Sequence, residues 1–174
     1  MSLNAKEYLA IEPLRHGGEI TIRALKPEDR TELLAAVEEL SPQSLRRRFF
    51  APRRAFSEEE ISYFVEVDFL RHVALVAELR EVDETPIIGG ARYIVVEPGK
   101  AEIAFAVIDE YQGRGVGAAL MRHLVRLARD AGLRELVAEV LPENAAMLKV
   151  FEKSGVSLKR KLVDRVLHVS LDIS

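Results

Sequence analysis

"DEYQGRGVGAALMRHLVRLARDAG", residues 109–132, sets glycines at 113, 115 and 117 directly before an amphipathic run. The run predicts a helix over 115–131, closed by Gly132 just past its C-terminus. The free N–H groups of a helix N-terminus point outward, and the helix dipole is positive there. Glycines leave the backbone open to an approaching anion such as a phosphate or pyrophosphate. Arg114 can add a charge-assisted contact. The bland alternative is a strand-to-helix turn whose glycines only relieve sterics. Two nucleotide loops are excluded. No G-K-[ST] follows, as a P-loop requires. "GRGVGAAL" (113–120) reads G-x-G-x-G without the first βαβ unit of a dinucleotide fold.

Outward from this stretch the chain divides cleanly. "GEITIRAL" (18–25) alternates like a strand. "KPEDRTELLAAVEEL" (26–40) starts a helix near Pro27, with Leu33, Leu34, Val37 and Leu40 at helical spacing. "SPQSLRRRFF" (41–50) and "SEEEISYFVEV" (57–67) begin on the N-cap serines Ser41 and Ser57. Strands follow at 72–81, 85–97 and 101–108, with "EPGK" as the turn between the last two. "ELVAEVL" (135–141) is a strand, 142–155 a helix closed by Gly155, and 156–173 two final strands. The order β-α-α-α-β-β-β-α-β-α-β-β predicts an α+β (α/β) domain, a mixed sheet of about six to seven strands flanked by helices. Residues 1–18 read as an N-terminal extension and 19–174 as a single domain.

Composition narrows the function. The chain has 174 residues, 48% hydrophobic and 30% charged, so one domain can bury a real core. A formal net charge of −3 gives no global field for nucleic acid. The absence of cysteine removes disulfides, thiolate nucleophiles and cysteine metal sites. His16, His72, His123 and His168 show no metal spacing, so no metal is expected. There is no bilayer-length apolar run and no signal-peptide core. The expectation is a soluble cytoplasmic protein with no membrane contact.

"AEIAFAVIDEYQGRGVGAALMRHLVRLAR" (101–129) resembles the signature segment of the GCN5-related N-acetyltransferases (GNAT), which carries Q/R-x-x-G-x-G/A between a central strand and a helix. Gln112, Gly115 and Gly117 match it in place, and "LPENAAMLKVFEKSGV" (141–156) resembles the next motif through Asn144 and Gly155. The resemblance covers roughly residues 19–172 and implies the GNAT fold with acetyl-CoA as cosubstrate. It implies that the N–H groups of Gly113, Arg114, Gly115, Val116, Gly117 and Ala118 hold the pyrophosphate. The strand end Phe105–Ala106–Val107 would pair with the pantetheine arm. The strands 101–108 and 135–141 would splay to admit that arm, and Asn144 would touch the cofactor further along.

Acetyl transfer to an amine by direct attack in a ternary complex needs a neutral amine, and so a general base or a water chain to one. Glu102, ten residues before Gln112 on the strand leading to the loop, is the first candidate. Ala104 and Ala106 share its strand face and leave room for a substrate. The plain alternative is a solvated glutamate at a strand start. Glu139 on the neighbouring strand is the alternative base, and Glu143 reads as an acidic first-turn residue. Many family members place a tyrosine on the last helix as acid for the CoA thiolate. Phe151 stands there and cannot donate a proton, although it suits an apolar face with Leu148 and Met147. His123 is expected to be exposed. Arg122, Arg126 and Arg129 recur as a solvated helix face.

Five arginines between 46 and 54 are interleaved with Phe49, Phe50 and Phe56. Either the phenylalanines pack and the arginines are solvated, or the segment meets an acidic surface on a protein substrate or on CoA. "LSPQSLRRRFF" (40–50), "HVALVAE" (72–78), the 101–117 segment and "EVLPEN" (139–144) together resemble the acetyltransferase domain of bacterial protein lysine acetyltransferases that modify acyl-CoA synthetases. That resemblance favours Glu102 as the base and a protein lysine as acceptor. A small amine, or a non-catalytic acyl-CoA sensor, remains open. Large regulatory domains are often fused in that group, and none is expected from the 18 residues ahead of the first predicted strand. Monomer and homodimer are both compatible.

Overall fold

A computed structural model describes residues 3–50 and 56–174. Its strands are β1 (Leu9–Pro13), β2 (Glu19–Ala24), β3 (His72–Leu79), β4 (Ile87–Glu97), β5 (Lys100–Val107), β6 (Glu135–Val140), β7 (Ser157–Val163) and β8 (Val166–Asp172). They form one sheet in the order β1-β2-β3-β4-β5-β6-β8-β7. Neighbours are antiparallel except β5 and β6. The helices are α1 (Arg30–Glu38), α2 (Pro42–Phe49), α3 (Glu58–Val65), α4 (Val116–Asp130) and α5 (Ala145–Glu152).

The sheet has eight strands among the described residues, not six to seven. The additional strand, β1, pairs along its length with β2, from Leu9↔Arg23 to Pro13↔Glu19. It is a sheet edge, where Pro13 costs no ladder hydrogen bond.

The main core lies between the sheet and α4. Leu120 and Leu124 of α4 are fully buried beneath it with Ile22, Leu75, Tyr93 and Leu136 of the strands. Opposite, Arg122, Arg126 and Arg129 stay exposed. The apolar stripe of α4 is thus the driving force for its docking. Helices α1–α3 cover the other face over β2–β5 only, around a second small cluster of Leu25, Ala74, Val76 and Ile87. That explains why β3 is buried on both faces. Over β6, β7 and β8 no described helix covers the second face, which carries Glu135, Glu139, Lys159, Lys161 and His168.

The caps behave as the sequence dictates. Ser41 Oγ accepts from Ser44 N at 3.0 Å. Ser57 and Glu60 form a reciprocal capping box on α3. Arg23 is clamped between Asp29 (2.7 Å) and Glu78 (2.9 Å), tying β2 to β3 and to the start of α1.

His123 is not exposed. Its Nδ1 lies 2.5 Å from Tyr8 Oη and its Nε2 2.6 Å from Glu12 Oε1. The N-terminal segment folds over this side of α4 and supplies both partners. Arg122 joins the same carboxylate at 3.1 Å, and Arg129 Nε donates to Ile173 O at 2.9 Å. The helix face read as solvated therefore also fastens both ends of the chain.

Candidate active site

The parallel ladder between β5 and β6 has three rungs, Lys100↔Glu135, Ala101↔Leu136 and Glu102↔Val137. Beyond Glu102 the strands diverge. From Ile103 to Val107, β5 pairs only with β4. From Ala138 to Val140, β6 pairs only with β8. A wedge therefore opens at the centre of the sheet, and the backbone of Phe105 and Ala106 lies along one of its walls. The Phe105 ring turns into the core, 6.0 Å from the Phe151 ring in an edge-on contact. Phe151 is 1% exposed. Packing thus accounts for a phenylalanine at that position.

Past Val107 the chain runs through a short turn into α4. Gly113 (φ 78°) and Gly115 (φ 92°) adopt left-handed conformations, which favour glycine. The first bond of the helix runs from Ala119 N to Gly115 O at 3.0 Å. The N–H groups of Val116, Gly117 and Ala118 therefore lack intrahelical acceptors and face the wedge end of the helix. A Cβ on Gly113 would meet nothing within 4 Å, so the cradle is open to a ligand there. Gly117 sits against α5 instead, where a Cβ would touch Val150 at 3.4 Å.

Gln112 points the other way. Its amide donates to Val107 O at 2.9 Å and Ser44 Oγ at 3.1 Å, so its side chain braces the end of β5 against α2. Asp109 completes the brace by accepting from Ser41 N (2.9 Å), Ser41 Oγ (2.8 Å) and Ser44 Oγ (3.0 Å). Burial pushes its carboxyl up, but those three donors outweigh it and hold the group below its ordinary value. Asn144 caps α5, its Oδ1 accepting from Met147 N at 3.2 Å. Beside it, Glu143 O accepts from Arg47 at 3.5 Å, and the Glu143 carboxylate lies 3.6 Å from Arg46. Helix α2 thus reaches across to the segment after β6. Arg53 and Arg54 of the arginine-rich stretch lie outside the described residues.

The β1–β2 hairpin brings in a group that the sequence reading missed. Arg15 N donates to Arg114 O at 3.0 Å, and Arg114 donates back to Gly17 O at 3.2 Å. The Arg15 side chain passes 3.9 Å from where a Gly115 Cβ would stand. Two guanidiniums therefore flank the glycine cradle. The only signal in the sequence was an arginine before a turn, "RHGG" (15–18).

Glu102 occupies the last rung before the wedge. Ala104 and Ala106 follow on its strand face, as period 2 demands. Its carboxylate is exposed and makes no hydrogen bond or ion pair with another described residue. It opens onto a hollow of about 410 Å³ on the bare sheet face, together with Lys100, Glu135, Glu139, Lys161 and His168. Glu139 lies in the same hollow, 3.9 Å from His168 Nδ1. The structure thus brings both candidate bases to one side of the sheet and the glycine cradle to the mouth of the wedge.

Comparisons with known proteins identify the family. The model of the acetyltransferase (GNAT) family matches residues 32–156. An acetyltransferase of Pseudomonas aeruginosa is 33% identical over 138 residues, 79% of this chain and 74% of that one. Acetyltransferase Pat of Mycolicibacterium smegmatis is 34% identical over 144 residues, 82% of this chain and 42% of its own length. Among solved structures, the GNAT domain of S. lividans PAT superposes with a TM-score of 0.85 at 35% identity, over 94% of this chain and 96% of that one. The chain belongs to the GNAT family. It is an N-acetyltransferase whose cosubstrate is acetyl-CoA, similar to the domains of the Pat acetyltransferases. The chain spans less than half of the M. smegmatis relative's length. Among the described residues no helix is long and apolar enough to cross a membrane.

Proposed function

We propose that the chain acetylates a lysine side chain of a protein, with Glu102 as the general base. The observation that carries this is the unpaired Glu102 carboxylate at the rung where β5 and β6 part, facing an open hollow wide enough for an extended side chain. Acetyl-CoA supplies an activated thioester. The cradle fits its phosphates: open glycines, unbonded first-turn N–H groups, and the cations Arg15 and Arg114 beside them. In this reading Gly113 to Ala118 bind the pyrophosphate through the backbone. Phe105, Ala106 and Val107 line the path of the pantetheine arm, and Asn144 lies near its far end. Val107 O already accepts from Gln112, so Phe105 and Ala106 have the freer backbone.

At neutral pH a lysine ammonium carries a proton that must leave before its nitrogen can attack. Glu102 accepts it, directly or through one water, and the hollow admits that water. The likeness to bacterial protein lysine acetyltransferases supports a protein acceptor.

The test is acetylation of lysine-containing peptides and proteins with labelled acetyl-CoA, by wild type and by Glu102→Gln. The proposal expects transfer to lysine in the wild type and a large loss of kcat in the variant, with acetyl-CoA affinity retained. Equal turnover by the variant removes Glu102 as the base, and Glu139→Gln then becomes the variant to measure. Wild type that binds acetyl-CoA yet acetylates no lysine substrate defeats the protein-acceptor reading.

A further inference from the structure

On the same sheet face as Glu102, but under the helices, β4 and β5 floor a cavity of about 80 Å³ walled by α1, α2 and α3. Its lining is apolar, with Leu33, Val37, Phe49, Phe64 and Ile88 among its walls, except for Arg48 and Arg92. Arg92 stands opposite Ala104 in the β4–β5 register, and Glu102 stands opposite Ile94. Arg92 and Glu102 are therefore diagonal neighbours on one face, roughly 7–8 Å apart at the backbone.

Neither arginine has a carboxylate within ion-pair distance among the described residues. Arg92 Nη1 donates to Phe64 O at 2.9 Å and lies 3.0 Å from His72 Nε2. Its guanidinium sits 5.3 Å from the Phe64 ring centre. The Arg48 guanidinium lies 4.7 Å above Phe49 and 6.0 Å from Phe64, and it makes no hydrogen bond to a described residue. Burial, with the neighbouring Arg48, lowers Arg92 to about 9, against an opposing effect of Tyr63. Burial also lowers Arg48 to about 10, opposed by Glu102. Burial, then Arg92, with a smaller push from Arg48, hold His72 neutral with a pKa of about 4, against the pull of Asp68.

Two cations facing one apolar cavity, with only Glu102 as a longer-range counter-charge to Arg48 and no ion-pair partner among the described residues, are costly. Their stacking on rings returns only part of that cost. A carboxylate would remove it, because its two oxygens match the planar donor forks of guanidiniums. We propose that the Arg48–Arg92 cavity is a carboxylate subsite of the acceptor site, holding a carboxylate of the molecule whose amine lies at Glu102. The proposal rests on, and deepens, the reading of the Glu102 face as the acceptor side. The cavity has room for several waters, so it admits one carboxylate with a short stem and not a folded segment. That carboxylate comes either from an acidic residue flanking the target lysine or from the acceptor's own α-carboxylate.

Two matched acceptor pairs separate these sources: peptides differing only by Glu or Gln beside the lysine, and free lysine against cadaverine. The carboxylate-bearing member of one pair is expected to be favoured about 10- to 100-fold in kcat/KM, mostly through KM. Arg48→Gln should bring that ratio close to one. Arg92→Lys keeps the charge and a donor for Phe64 O but loses the fork, and should reduce the ratio several-fold. Melting temperature controls for folding.

A preference within the peptide pair supports the subsite and the protein acceptor together. A preference for lysine over cadaverine, with no peptide acetylated, supports the subsite and defeats the protein acceptor. Peptides acetylated equally well by wild type and Arg48→Gln, with no preference in either pair, defeat the subsite and leave the lysine reading standing. Glutarate reads the subsite without turnover, through the His72 imidazole NMR signal. Anion binding at the two guanidiniums should raise the His72 pKa in the wild type and much less in Arg48→Gln. A titration that leaves His72 unmoved in the wild type overturns the subsite.

Discussion

In the proposed reaction the edge and the face of β5 would serve opposite ends in different materials. Along the edge, the cofactor side is built from backbone: an unpaired strand segment, two left-handed glycines and the N–H groups of a helix start. On the face, the acceptor side is built from side chains: Glu102 over the hollow, then Arg48 and Arg92 in the cavity beside it. Backbone sites tolerate side-chain change but not a change in backbone access. Side-chain sites behave in the reverse way.

Glu102→Gln is the sharpest test of this contrast. General-base loss is expected to cut kcat by about 10²–10⁴-fold, while acetyl-CoA affinity by calorimetry stays at the wild-type value. A parallel loss of affinity would mean that edge and face are not separable. Next comes Gly115→Val. A β-branched residue at φ 92° is strained and also intrudes on the cradle, so acetyl-CoA affinity should fall about 10-fold or more. Unchanged affinity would break the claim that backbone builds this side.

Arg15→Ala should be milder. An exposed cation beside the cradle is expected to contribute a few-fold in acetyl-CoA affinity, and the difference should shrink as salt rises. A salt-independent loss would point to packing of the hairpin instead. The smallest effect concerns the brace between the two sides. Asp109→Asn should lower the melting temperature by about 2–4 °C near neutral pH. The Asp109 carboxyl is held below its ordinary value of 3.8. Its stabilisation is therefore present above that value and lost as pH falls through the lower folded one. Wild-type and variant melting curves should converge only as pH falls from 3.8 through the lower folded value. A gap that persists in acid would assign the effect to shape and not to charge.

The same contrast explains what could be read in the chain beforehand. Glycines ahead of an amphipathic run are local in sequence, and the cradle and α4 were legible from them. The strand alternation around Glu102 was legible for the same reason. The identity of Gln112 was legible but not its direction, because Ser44 lies 68 residues upstream. His123 read as exposed because both of its partners, Tyr8 and Glu12, are more than 100 residues away. Strand β1 was lost because it is only five residues long, ends at Pro13 and, as an edge strand, buries little. Arg48 read as one of a basic run, and Arg92 lay unremarked within the strand predicted at 85–97. Only the closing of three helices over β4 and β5 makes them a pair.

The three-rung contact between β5 and β6 has a mechanical meaning as well. It is a hinge. On one side lie the five strands β1–β5, on the other the three strands β6, β8 and β7. Little else in the sheet itself joins these halves, so the protein carries an unfinished strand edge in its interior and not only at its rim. On the proposed reading, an extended ligand lying in the gap would act as a temporary ninth strand and join the two plates. Slower hydrogen exchange along both walls of the gap should therefore accompany acetyl-CoA binding, and product departure should require the plates to loosen again.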